Sequence, residues 1–380
     1  MAARSPYYTA EHEAFRATVR RFVEKEIEPH AAAWDEAETF PRTLYEKAAA
    51  VGLLALGFPE EYGGVETDCF YGIIAAQELA RAGAGGIAAS LQSHTIGAPP
   101  IAFAGTSALK ARLLPEILAG RKISALAITE PDGGSDVANL ATTARREGDH
   151  YVVRGSKAFI TSGIRADYYT VAVRTGGPGR SGVSLLVIER ETPGFTRTPL
   201  KKMGWWASDT AMLYFDDCRV PAGNLLGEEN EGFRLIMRNF NRERLGMAAG
   251  ATGHARVCLD DAIAYARERR TFGVPLIEHQ VIRHKLVDMA MRVNATQAYL
   301  ESTAWRVDQG ENPVADICML KNQATLTMEF CAREAVQIFG GAGFMRGPKV
   351  ERIYREVRVN AIGGGAEEIM RDLAARQLGF

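Results

Sequence analysis

A tight turn rich in hydroxyl and carboxyl groups lies at residues 127–136 (AITEPDGGSD), directly after an apolar run. Gly133 and Gly134 let the chain reverse sharply and bring backbone N–H groups close to a ligand. Thr129 and Ser135 add hydroxyls that suit a flat heterocycle or its phosphates. In residues 155–167 (GSKAFITSGIRAD) the run Phe159, Ile160, Thr161 sets an aromatic ring and a hydroxyl on one face of a strand. That pairing suits a planar group, held by stacking plus one directed hydrogen bond. Residues 267–280 (RERRTFGVPLIEHQ) crowd arginines onto a helix that breaks at Gly273 and Pro275, and guanidinium forks grip phosphate bidentately. Residues 337–344 (QIFGGAGF) hold three glycines within four positions, where a plain helix cap needs one. Taken singly, each stretch has an ordinary reading: a β-turn, a half-buried strand, a solvated charged face, a helix end. No GxGxxG follows a strand, so a Rossmann dinucleotide site is not supported. His279 and His284 have no partner carboxylate at ligand spacing, and no metal site is expected.

These stretches need elements to position them. Phe15, Val19, Phe22, Val23 and Ile27 recur at helical spacing, and Pro29 is expected to end that helix. Further helical patterns cover about 42–51, 68–82, 87–103 and 107–119. Near Ile123 the character changes to short β-rich runs punctuated by glycine and proline, which reads as a compact antiparallel domain ending near Val220. From Gly232 the chain is helical again. Residues 281–307 place Ile282, Leu286, Met289, Val293, Leu300 and Ala304 on one bundle stripe, and a partner helix follows at roughly 314–339. The order predicts an α+β protein in three units: helical 1–122, β 123–228 and a helical bundle 229–380.

Composition excludes several function classes. The 380 residues carry 45 Lys+Arg against 46 Asp+Glu, a net charge of −1, so nothing steers the chain to nucleic acid or an anionic membrane. No run approaches the ~20 apolar residues of a membrane span. The N-terminal stretch shows neither a long apolar run nor a small-residue cleavage site, so no secretory leader is expected. Five cysteines without a CxxC pair fit buried thiols in a reducing compartment, with a bacterial cytoplasm expected ahead of a mitochondrial matrix.

Taken together, ITEPDGGSD, KAFITSG, RERRTFG and QIFGGAGF, joined by KMGWWASDT, DDCRVPAGNLLGEENEGF and ERIYRE, resemble the acyl-CoA dehydrogenase family in order and spacing over roughly residues 10–380. The resemblance implies a helical N-terminal domain, a β-barrel-like middle domain and a C-terminal four-helix bundle. It implies FAD between the last two, and a homotetramer or dimer in which a second subunit helps to hold it. Carried over by motif, Ile128, Thr129, Ser135, Phe159 and Thr161 line the flavin, Phe159 standing where many members carry Trp. Arg269, Thr271, Phe272, Gln280, Gln337 and Gly341 hold the diphosphate and adenosine portions, and Glu368 reaches the adenosine. Ser135 also stands near the CoA moiety. The family's electron-transfer flavoprotein is the implied acceptor, and fatty-acid β-oxidation the implied setting.

The reaction needs a base for the weakly acidic Cα proton as hydride leaves Cβ for flavin N5. Many members place that Glu in a YEGT sequence; the matching residues here are Gly363, Gly364, Gly365 and Ala366, so the position is a glycine. A branch resembling long-chain acyl-CoA and isovaleryl-CoA dehydrogenases carries it on a bundle helix before an Arg, where this chain has Asn241-Arg242-Glu243-Arg244. Glu243 is therefore the expected base, with Arg244 fixing its carboxylate and Asn241 and Arg244 beside the substrate. The Gly364 N–H is expected to bond the thioester carbonyl. Ala88 and Ala89, on the helix that lines the acyl pocket, leave room for a long or branched chain. The alternative is a flavin monooxygenase or nitroalkane-oxidase-like enzyme, a type that typically lacks this base.

Overall fold

The computed structural model describes residues 5–380; residues 1–4, part of the stretch read above for a leader, lie outside it. The first third is helical: α1 (Ala10–Phe22), α2 (Ala31–Glu36), α3 (Thr43–Ala50), α4 (Cys69–Ala80), α5 (Gly85–Gln92), α6 (His94–Gly97), α7 (Pro99–Ala104) and α8 (Ser107–Leu118). Thr9 and His12 form a reciprocal cap on α1. Val19, Phe22, Val23 and Ile27 are buried, as their spacing requires. Pro29 does not end this helix. The chain widens to a π turn at Val23–Ile27, tightens to a 3₁₀ turn at Glu28–His30 and continues as α2. The irregular turns absorb the missing donor and the ring of Pro29, which then stands at the start of a new helix, where no donor is needed.

Eight strands follow: β1 (Ser124–Ala127), β2 (Thr143–Glu147), β3 (His150–Thr161), β4 (Tyr168–Arg174), β5 (Val183–Glu189), β6 (Phe195–Pro199), β7 (Thr210–Pro221) and β8 (Leu225–Leu226). They hydrogen-bond in the order β6-β7-β3-β2-β4-β5-β8, with β1 on β4. The sheet is mixed, which corrects the purely antiparallel expectation: β1 runs parallel to β4, and Thr143 of β2 pairs in parallel with Arg174. The chain leaves β1 through the glycine turn and a loop rather than a tight hairpin, and so returns in the same direction. Inward residues of β3, β4, β5 and β7, among them Tyr151, Val171, Leu186 and Leu213, form the core beneath the site.

The last third holds α9 (Gly232–Glu268), α10 (Gln280–Asp308), α11 (Val314–Phe339), α12 (Gly341–Phe344), α13 (Lys349–Ile362) and α14 (Glu367–Leu378). α11 packs against α9, α10, α13 and α14. On α10, Leu286, Met289, Val293, Leu300 and Ala304 are buried and Ile282 packs at the edge. α4 docks on α9, and Gly253 permits the approach: a Cβ there would lie 2.9 Å from the Ala80 side chain and 3.0 Å from the Gln77 backbone. The five cysteines are free thiols, Cys69 half-buried and the others buried. No helix among the described residues is long and apolar enough to cross a membrane.

Candidate active site

A cavity of about 1220 Å³ opens between the α5–α6 face, the β domain, α9 and the loop joining α13 to α14. The β domain supplies its wall through the two sequence stretches singled out above. Glu130 and Gly133 close the turn by exchanging backbone hydrogen bonds of 3.0 and 3.2 Å. Beneath it lies a buried ion pair. Lys157 Nζ donates to Glu130 Oε1 at 2.8 Å and to the Ile128 carbonyl at 3.0 Å, while the Glu130 carboxylate also accepts from Thr142 N–H at 2.9 Å. The Ala158 N–H donates to the Thr129 carbonyl at 2.8 Å. The two motifs are thus stitched together under the cavity, and Ile128, Thr129, Ser135, Phe159 and Thr161 all line it. The pairing of β3 with β7 shifts register between Lys157 and Ile160. Phe159 sits in that irregularity with φ 60° and 67% of its surface exposed.

α9 forms the opposite wall. Phe233, Met237, Phe240, Glu243, Met247, Gly250 and His254 face the cavity at helical spacing. Glu243 Oε2 is buried and has no hydrogen-bond partner among the described residues. Burial pushes its carboxyl up to about 7, with the positive charges of Arg244 and Lys321 pulling the other way. Arg244 does not hold this carboxylate, contrary to expectation. Its Nε donates to the Gly364 carbonyl at 2.9 Å and its Nη1 to Asn241 Oδ1 at 3.3 Å. The guanidinium anchors the glycine loop instead. Asn241 is likewise corrected: it lies outside the cavity, between Arg244 and Asn312.

The loop after α13 is built by a residue the sequence reading missed. Lys321, wholly buried on α11, donates to the carbonyls of Ala361 at 3.0 Å and Gly365 at 2.8 Å. Next to it, Asn322 Nδ2 donates to the Glu367 carbonyl at 2.9 Å. Gly364 adopts φ 65°, and its N–H donates to no partner among the described residues. Lys321 falls at the Ile317-Lys321-Ala324-Met328 spacing, a charge on an apolar stripe, which is the available signal. Lys157 had one too: the alternation Tyr151, Val153, Gly155, Lys157 turns it inward.

Ala88 and Ala89 line the cavity. The remaining candidates do not. Arg269, Phe272, Gln280, Gln337, Gly341 and Glu368 are exposed and Thr271 half-buried, outside the cavity lining. Phe272 is 97% exposed, and Thr271 meets His279 Nε2 at 3.0 Å. No group of His, Cys, Asp or Glu among the described residues could hold a metal.

Three family profiles cover the chain: "Acyl-CoA dehydrogenase, N-terminal domain" over residues 9–121, the middle domain over 125–218 and the C-terminal domain over 230–379. The chain belongs to the acyl-CoA dehydrogenase family. Among solved acyl-CoA dehydrogenase relatives, a structure from Mycobacterium abscessus described as a probable acyl CoA dehydrogenase is 49% identical, covers 98% of this chain and 100% of its own, and superposes with a TM-score of 0.96. The long-chain specific mitochondrial acyl-CoA dehydrogenase of Sus scrofa is 35% identical over 98% of this chain and 87% of its own length. An acyl-CoA dehydrogenase from Bacillus anthracis, described as complexed with FAD, is 29% identical with a TM-score of 0.92, over 98% of this chain and 67% of its own. The family's three-part α+β architecture is therefore that of this chain.

Proposed function

We propose that this acyl-CoA dehydrogenase uses FAD to oxidise an acyl-CoA thioester to the trans-2-enoyl-CoA, with Glu243 as the base. The observation that carries this reading is the Glu243 carboxylate, whose Oε2 is buried and unpartnered among the described residues, facing the same cavity as Phe159, Thr161 and Gly364. The residues present fit FAD. An exposed phenyl ring on left-handed backbone, beside a hydroxyl and a glycine turn, is a surface that a planar ring system would cover. Bound there, FAD supplies the acceptor for the Cβ hydride. Glu243 takes the Cα proton. We assign the Gly364 N–H, which donates to no partner among the described residues, to the thioester carbonyl as negative charge grows on it, with Arg244 supporting the loop through its bond to the Gly364 carbonyl.

The phosphate-side residues around Arg269 and Gln337 lie on exposed surface away from this cavity, so we assign them to the FAD of a second copy of the chain in a homotetramer or dimer. Electron-transfer flavoprotein is the acceptor the family resemblance favours. Gly246 and Gly250 on α9 would place a Cβ in open space, and with Ala88 and Ala89 they favour a long or branched acyl group. Anaerobic titration of the yellow protein with straight and branched acyl-CoAs tests this reading. Flavin bleaching is expected, most readily with long or branched chains. Oxygen consumption with a non-thioester substrate and no bleaching by any acyl-CoA would defeat it.

A further inference from the structure

Gly246, Gly250 and His254 share the cavity face of α9 with Glu243. Offsets of three, seven and eleven put them on one stripe. A Cβ on either glycine would meet nothing within 4 Å, so the stripe is an open groove. It ends at His254, three turns or roughly 16 Å along the axis from Glu243. His254 is 5% exposed, and its Nδ1 lies 2.9 Å from the Gly250 carbonyl. A carbonyl only accepts, so Nδ1 carries the proton and Nε2 is left as an acceptor. That nitrogen is buried and has no partner among the described residues. Burial keeps the ring neutral, its pKa pushed down to about 4.

A donor in the same condition lines the same cavity. Trp205 Nε1 is buried and unpartnered among the described residues, and it packs on the first turn of α5, where a Cβ on Gly85 would come within 2.6 Å of it and of Glu356 Oε2. Gly253, the neighbour of His254, packs on Gln77 and Ala80 of α4. Gly253 and Gly85 thus flank the connection from α4 to α5. Beyond α5, the Ile96 carbonyl of α6 accepts from Asn239 Nδ2, one turn from Glu243, at 2.9 Å. The cavity lining thus holds an orphaned acceptor, His254 Nε2, and an orphaned donor, Trp205 Nε1–H, while the buried Glu356 Oε1 close to that donor is likewise unpartnered among the described residues; buried polar atoms ordinarily have partners. A hydroxyl satisfies one of each.

We propose that the acyl group held in this cavity carries a hydroxyl at its inner end, received by His254 Nε2 and Trp205 Nε1–H. The inference rests on the acyl-CoA reading given above and narrows its substrate class. The test compares saturated acyl-CoAs with their chain-terminal hydroxy counterparts, medium to long, on the FAD-loaded enzyme. At the matching length the hydroxylated chain should be preferred in kcat/KM by roughly tenfold or more. His254→Leu and Trp205→Phe should each bring that ratio toward one, and His254→Gln, which keeps an acceptor, should preserve part of it. A plain chain preferred at every length, or a ratio unmoved in both variants, overturns the proposal. Binding of the same pairs to Glu243→Gln separates the two readings. Preferential binding of the hydroxylated chain with no flavin reduction in the wild type would sink the dehydrogenase reading and support the hydroxyl pocket; reduction without preference would do the reverse.

Discussion

A base that takes a proton from carbon works best when its own pKa lies near the working pH. Burial gives Glu243 that property, raising it to about 7. Reductive rate constants should therefore climb with pH through about 7 and level off above it. Glu243→Gln should keep FAD but lower the flavin reduction rate by roughly 10²–10⁴-fold, measured by anaerobic stopped flow. The same shift has a stability sign. The folded protein holds this proton more tightly than the unfolded chain does, so the site contributes stability below the ordinary carboxyl pKa and loses it as pH rises through the folded value. Glu243→Gln should thus raise Tm at about pH 8, equivalent to on the order of 3 kcal/mol, with the gain vanishing near pH 4. Parallel Tm profiles for the two proteins would exclude the shift. Glu243 was legible because the loop position that could have held the base is glycine. Lys321 was marked only by its place on an apolar stripe, and His254 was not legible, because a lone polar residue in a helical pattern reads as a solvated edge until a neighbouring helix covers it.

At the scale of elements, the α13–α14 loop owes its shape to Lys321. Substitution by Met would leave the carbonyls of Ala361 and Gly365 without that donor inside the bundle. We expect a loss of about 2–4 kcal/mol in chemical denaturation, together with a kcat that falls more than KM rises, because the Gly364 N–H would no longer be fixed. Lys157→Met should cost about 3–5 kcal/mol by stranding the Glu130 carboxylate, and should release flavin on gel filtration as the Ile128–Thr129 turn loosens. Long helices with strong stripes, α10 and α11 above all, were readable from spacing. β2 (TARRE) and β6 (FTRTP) were not, since both are short and mostly polar and are held by pairing with longer neighbours. Pro29 misled for a related reason: local chemistry says stop, while the buried stripe through Ile27 and Ala31 keeps the chain coiled.

The whole molecule separates the two halves of the expected cofactor site. Residues of the flavin end line one cavity, and those of the diphosphate and adenosine end stand exposed elsewhere on the chain. If a second copy completes each site, flavin retention must follow assembly. Arg269→Ala and Phe272→Ala should lower the flavin-to-protein ratio and make it fall on dilution, in step with the oligomer measured by light scattering. A diluted monomer that keeps its full complement of FAD would count against shared sites. The order of the three units was visible because seven stretches fall in register, each too short to be decisive alone. The separation was not, because spacing along a chain does not say which surface a folded residue faces.

The geometry at Gly364 also bears on how such a catalyst could be rewired. With φ at 65° and a would-be Cβ only 2.6 Å from Met247 Sδ, this position resists any side chain while the thioether stays where it is. Placing glutamate at 364 therefore requires the flexible Met247 side chain to swing aside and the new residue to hold a left-handed backbone of the kind Phe159 already adopts.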